Sequence, residues 1–184
     1  MNTKKLIAGV DEVGRGSLVG SVMSSAVILN NDISIDKLND SKKISPKLRI
    51  KIANEILQKA ISVSIGIATK EEIDRINIHN ATLLSMRRAI DNLSIKPDKV
   101  LIDGSYSPNI DICTETIIKG DACVEEISAA SIIAKVARDN EMCYLHSKIK
   151  FYDLINNKGY GTAKHLDVIS TLGKSIYHRE SFMR

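Results

Sequence analysis

Cysteine and proline are scarce in this 184-residue chain, with three of each, and glycine reaches only ten. Cys113, Cys123 and Cys143 form no C-x-x-C pair, which removes the spacing of a zinc site or a dithiol redox centre. An odd set of thiols reads instead as reduced and partly buried, as in an intracellular protein. There is no internal repeat, low-complexity tract or long linker. No apolar run approaches the roughly 18 residues that cross a bilayer. The stretch after Lys4-Lys5 meets Asp11 and Glu12 too soon for a signal peptide. The expectation is a cytoplasmic protein that makes no use of a membrane.

What is present suits a packed core: 43% of residues are hydrophobic and 26% charged. The length fits one domain over residues 1–184. A formal charge of +4 permits a polyanionic partner without requiring one. Two apolar runs, Leu6–Val10 and Val22–Leu29, read as strands, with Gly14, Gly16 and Gly20 punctuating a hairpin-like connection. Ser45-Pro46 is a helix start, and Leu48, Ile52 and Ile56 continue it as one stripe. Ile61–Ala68 alternates as a third strand. Glu71-Glu72 opens a short helical segment and Asn77–Leu93 a longer one. Val100–Ile102 and Thr114–Ile118 predict two further strands; Glu125–Lys148 and Lys164–Leu172 predict helices. Strands followed by alternating helices and strands give an α/β layer fold with a mixed sheet.

Acids cluster where these strands end. Asp11 and Glu12 follow the first apolar run, Asp103 another, and Asp121 follows Lys119-Gly120. A carboxylate at the edge of an apolar strand loses hydration unless a positive charge compensates. Ligands of α/β sheets gather at strand ends, so these acids are candidates for holding a hard divalent cation. Asp is also a common turn former and helix cap, and spacing alone leaves both readings open.

Several segments, in order, resemble the ribonuclease HII family. They are Ile7–Gly16 (IAGVDEVGRG), Asp40-Ser41-Lys42-Lys43, Ile76–Thr82 (INIHNAT), Leu101–Gly104 (LIDG), Lys119-Gly120-Asp121, Ile127–Asp139 (ISAASIIAKVARD), Lys158–Thr162 (KGYGT) and His178–Phe182 (HRESF). Together they cover nearly the whole chain. The resemblance implies a ribonuclease H-like fold, a five-stranded mixed sheet flanked by helices with a C-terminal helical extension. It implies an endoribonuclease that hydrolyses the RNA strand of RNA–DNA hybrids. It also implies cutting 5′ to single ribonucleotides in duplex DNA, which leaves 3′-hydroxyl and 5′-phosphate ends. Asp11, Glu12, Asp103 and Asp121 become the catalytic acids, holding Mn²⁺ or Mg²⁺, two during catalysis. The related ribonuclease HIII family has Lys in the glycine motif and Glu as fourth acid, where this chain has Arg15 and Asp121.

The resemblance also assigns substrate contacts. Gly14, Arg15 and Gly16 would bring backbone close enough to hydrogen-bond a ribose 2′-hydroxyl. Tyr160 would stack on the neighbouring sugar, its plain alternative being a packed Tyr. Lys42, Lys43, Ser131, Lys135 and Arg138 would meet phosphates, although a Lys is more often a solvated charge and Arg138 could pair with Asp139 instead. About 150–184 would form a C-terminal substrate-contacting segment. The four histidines show no ligand spacing and read as surface or satisfied residues. The C-terminus shows no clamp-binding motif, and a monomer is the expectation.

Overall fold

The computed structural model describes residues 5–30, 38 and 44–183. Lys42 and Lys43, with the Asp40-Ser41 that precedes them, lie outside the described residues. One five-stranded sheet organises the chain, in the order β3-β2-β1-β4-β5. Its strands are β1 (Ile7–Val13), β2 (Val22–Ile28), β3 (Ser62–Ala68), β4 (Lys99–Asp103) and β5 (Cys113–Ile117). β1 and β2 are antiparallel, as are β2 and β3; β4 runs parallel to β1, and β5 parallel to β4. The mixed sheet expected from the sequence is therefore present.

Helices cover both faces. α1 (Pro46–Lys59) and α3 (Glu125–Lys148) pack on one face, where Val27, Ile52, Ile56, Ala129, Ala130 and Ile133 form a core. α2 (Lys70–Asp91) covers the other, burying Ala8, Val10, Ala26, Ile28, Met86, Ile90 and Ile102. Alternate residues of β2 thus enter different cores, which is why all seven are buried. Gly9 shows how closely α3 crosses the sheet: a Cβ there would lie 2.0 Å from the backbone carbon of Glu126.

The helix signals act as expected. Ser45 Oγ accepts the Leu48 N–H with Pro46 at the first helical position. Thr69 and Glu72 form a reciprocal capping box. The two segments expected around Glu71 and Asn77 are joined into α2 by a kink at Asn77 (φ 67°, ψ 166°), whose Oδ1 accepts the Asn80 N–H and starts the second half. Beyond α3 the chain forms short turns, α4 (Leu154–Asn157) and α5 (Ala163–Leu172). The C-terminal helical extension is present. All three cysteines are exposed rather than partly buried, because none falls on a face that packs against another layer.

Among the described residues no helix is long and apolar enough to cross a membrane.

Candidate active site

β1 extends further than its apolar residues suggest. Pairing with β2 continues through Asp11↔Ser25, Glu12↔Ser24 and Val13↔Met23, so the two acids lie within the strand instead of following it. The partner's serines are small and polar at these positions, which leaves room beside the carboxylates. Val10 and Ile102 are register partners of β1 and β4, and both enter the α2 core. Asp11 and Asp103, one residue on, therefore turn toward the α3 face side by side. Asp103 is the last residue of β4, and its Oδ1 accepts the Gly120 N–H at 2.7 Å. That bond ties β4 to the 3₁₀ turn Gly120–Ala122, which carries the buried Asp121.

All four acids line one cleft of about 320 Å³ with Val13, Arg49, Ser131, Ile132 and Lys135. Burial pushes the Asp11 carboxyl up to about 7; the nearby Glu12 and Asp103 add to the rise, opposed by the Ser131 hydroxyl and the Glu12 N–H. Burial also raises Glu12, against the pull of Arg15. Glu12 Oε1 lies 3.3 Å from Arg15 Nη1. Negative charge is thus concentrated in the cleft, where the described cations are Arg49, Lys135 and the Arg15 beside Glu12. Among the described residues no three of these side chains close around a common point, so the carboxylates stand as walls of an open cleft. Hard oxygen donors from three chain segments around one cleft fit a divalent cation.

The other expected contacts divide into two groups. Ser131 and Lys135 face the cleft from α3, with Lys135 Nζ held 2.7 Å from Asp139 Oδ1. Gly16 lies against Tyr160: a Cβ built on Gly16 would sit 3.6 Å from the ring's Cε1. Tyr160 is 42% exposed, so it is a presented ring rather than a packed one. Arg138 does not join them. It is 2% exposed and donates to Ser17 Oγ and Val19 O beneath the Gly14–Gly20 loop, with Glu141 as its ion-pair partner. A phosphate contact does not fit that placement, nor does pairing with Asp139. Helical spacing puts position 138 on the inward face one turn after Ala134, where an Arg is kept only by buried acceptors.

Arg49 is the cleft residue that sequence reasoning missed. It leans from the first turn of α1, 3.8 Å from Asp139 Oδ2, and only packing of α1 on α3 brings it there. A smaller adjoining recess shares Glu12 and Asp103 with the cleft and holds Arg15, His79 and Tyr106. The His79 and Tyr106 rings meet edge-to-face at 4.7 Å. His165 and His178 are buried and satisfied, their Nε2 atoms 3.2 Å apart; His165 Nδ1 also bonds Tyr160 O at 2.8 Å.

Comparison with known proteins bears on this arrangement. The family model described as Ribonuclease HII matches residues 8–184. The fold is similar to ribonuclease H2 from Pyrococcus horikoshii OT3, with TM-score 0.81 and 25% identity over 95% of this chain and 92% of that one. It is similar to the PCNA:RNase HII complex structure from Archaeoglobus fulgidus, with TM-score 0.80 and 24% identity over 95% and 94%. Bst-RNase HIII, solved in complex with Mn²⁺, aligns with TM-score 0.70 and 18% identity over 92% of this chain but 63% of that one.

Proposed function

The chain belongs to the ribonuclease HII family and is a ribonuclease H-type hydrolase, and on that footing we propose that it cuts RNA–DNA hybrids and single ribonucleotides embedded in duplex DNA. Cleavage falls 5′ to the ribonucleotide and leaves 3′-hydroxyl and 5′-phosphate ends. The observation that carries this reading is the meeting of Asp11, Glu12, Asp103 and Asp121 in one cleft, beside a glycine loop that Tyr160 flanks.

These four carboxylates would hold Mn²⁺ or Mg²⁺, with two ions during catalysis. A divalent ion held there would supply Lewis-acid chemistry, lowering the pKa of a bound water and offsetting negative charge at the phosphate. The protein's own part is positional. Lys135 and Ser131, on one helix, would approach phosphate oxygens from the α3 side. Gly14–Gly16 would offer backbone to the 2′-hydroxyl, the group that separates RNA from DNA. Tyr160, against Gly16, would stack on the adjoining sugar, making residues 150–184 a substrate-contacting segment. His165 and His178 are buried in the C-terminal region and do not line the cleft.

The deciding assay supplies Mn²⁺ or Mg²⁺ to the protein with two duplexes, one containing a single ribonucleotide and one all DNA. Cleavage 5′ to the ribonucleotide, with the all-DNA duplex intact, is expected. Equal cutting of both, or of neither, defeats the reading.

A further inference from the structure

The C-terminal HRESF segment is absorbed by nothing in the cleft, yet it is anchored along its whole length. Residues 177–179 pair with the loop after β1: Gly20 N–H donates to Tyr177 O at 3.0 Å and Arg179 N–H to Leu18 O at 2.8 Å. Ser181 bonds Asp74 of α2 through its N–H and its hydroxyl, at 2.8 and 2.7 Å. Phe182 packs on Val22, Ala68 and Ile73, with its ring centroid 5.0 Å from the Arg179 guanidinium carbon.

Arg179 itself is fully buried. Its guanidinium donates to carbonyl oxygens: Gly14 O at 2.8 Å, Arg15 O at 2.9 Å, Gly20 O at 2.8 Å and Ser21 O at 2.7 Å. Burial and the neighbouring Arg138 lower its pKa to about 9, so holding this cation inside costs free energy. An apolar side chain of similar size would avoid that cost but leave these four carbonyls without the guanidinium's donors. What an apolar side chain could not do is fix the direction of these peptide groups.

That direction has a chemical consequence. In a trans peptide the carbonyl of one residue and the N–H of the next point in opposite directions. The Gly14 and Arg15 carbonyls turn inward to Arg179. The N–H groups of Arg15 and Gly16 must therefore turn away from it. We propose that Arg179 is a positioning residue for ribonucleotide recognition: its buried fork sets the peptide planes of the Gly14–Gly16 loop so that their N–H groups meet the 2′-hydroxyl. The C-terminal segment is then a strut of the ribose-reading loop. A Lys cannot replace it, because a single ammonium lacks the planar fork that spans all four carbonyls.

This rests on the reading of Gly14–Gly16 as the ribose contact, and the test separates the two. Binding is measured in EDTA by fluorescence anisotropy, with a duplex containing one ribonucleotide and an all-DNA duplex. The wild-type protein, Arg179→Lys, Arg179→Met and Asp74→Ala are compared, with cooperative urea unfolding as the check on folding. Asp74→Ala loosens the strut from its surface end and removes nothing from the core. In Arg179→Lys and Arg179→Met the wild-type preference for the ribonucleotide duplex is expected to fall by about tenfold, with all-DNA affinity kept within about twofold. Asp74→Ala should move the same ratio in the same direction by a smaller factor, and it carries the test if the Arg179 variants do not fold. An unchanged ratio in a folded variant, or parallel loss of both duplexes, overturns the proposal. A wild-type protein that binds the two duplexes equally overturns the underlying reading, and the proposal with it.

Discussion

At the residue scale, the cleft is defined by its four acids. Asp11 is buried beside Glu12 and Asp103, and neutral replacement of a cleft acid removes a charged oxygen donor. Asp11→Ala, Asp103→Ala and Asp121→Ala are each expected to lower the cleavage rate by about a hundredfold or more, a barrier increase of roughly 3 kcal/mol; single-turnover assays check this. Arg15 differs in its placement. Its side chain is half exposed and touches Glu12 at 3.3 Å, while its backbone belongs to the glycine loop. Arg15→Ala is expected to weaken discrimination between ribonucleotide-containing and all-DNA duplexes while Mn²⁺ still binds. Calorimetric Mn²⁺ titration beside a cleavage assay separates the two effects, and loss of metal binding in this variant counts against the assignment.

At the element scale, the site depends on how closely α3 lies on β1. Ala129, Ala130 and Ala134 keep that face of the helix low, and Gly9 gives it no Cβ to meet. Gly9→Ala would place a methyl group 2.0 Å from the Glu126 backbone, and the helix must move away. A destabilisation of about 3 kcal/mol is expected, read from the urea midpoint. Activity should fall further than stability explains, since Ser131 and Lys135 ride on the same helix. Thr69→Ala offers a milder comparison. It removes one half of the capping box on α2, should cost about 1 kcal/mol, and should leave cleavage by the folded protein unchanged.

At the scale of the whole molecule, buried polar groups tie the C-terminal region to the rest. His178 is wholly buried. Burial, and then the nearby His165, lower its pKa to about 4. The unfolded chain takes up that proton near pH 6.5 while the folded one refuses it until about pH 4. The unfolded state then holds more protons, so stability is full above pH 6.5 and falls as the pH drops toward 4. The expected loss is about 3 kcal/mol at the acid end, measured by urea unfolding across that range. His178→Gln should flatten this slope. A divalent cation should act in the opposite sense on the cleft: Mn²⁺ is expected to raise the melting temperature of the wild-type protein by mass action, and Asp11→Ala to lose that increment.

The sequence by itself determined much of this protein. Period-two and period-3.6 patterns, with caps at Ser45 and Thr69, located the strands and main helices, because local backbone preference and one-sided burial are written in nearest neighbours. The ordered motifs singled out the four acids that meet in one cleft, and the glycine loop and Tyr160 that lie against each other. Only the tertiary structure decided the rest. Strand pairing carried β1 on through its acids, because a ladder depends on its partner and not on the hydropathy of one chain segment. Packing of α1 on α3 brought Arg49 to the cleft. In one dimension Arg138 is expected at a phosphate or beside Asp139, and Arg179 has no expected role beyond its motif, yet both are buried under the glycine loop. Their places follow from the carbonyls and carboxylate that receive them, and those partners come together only when segments more than a hundred residues apart meet.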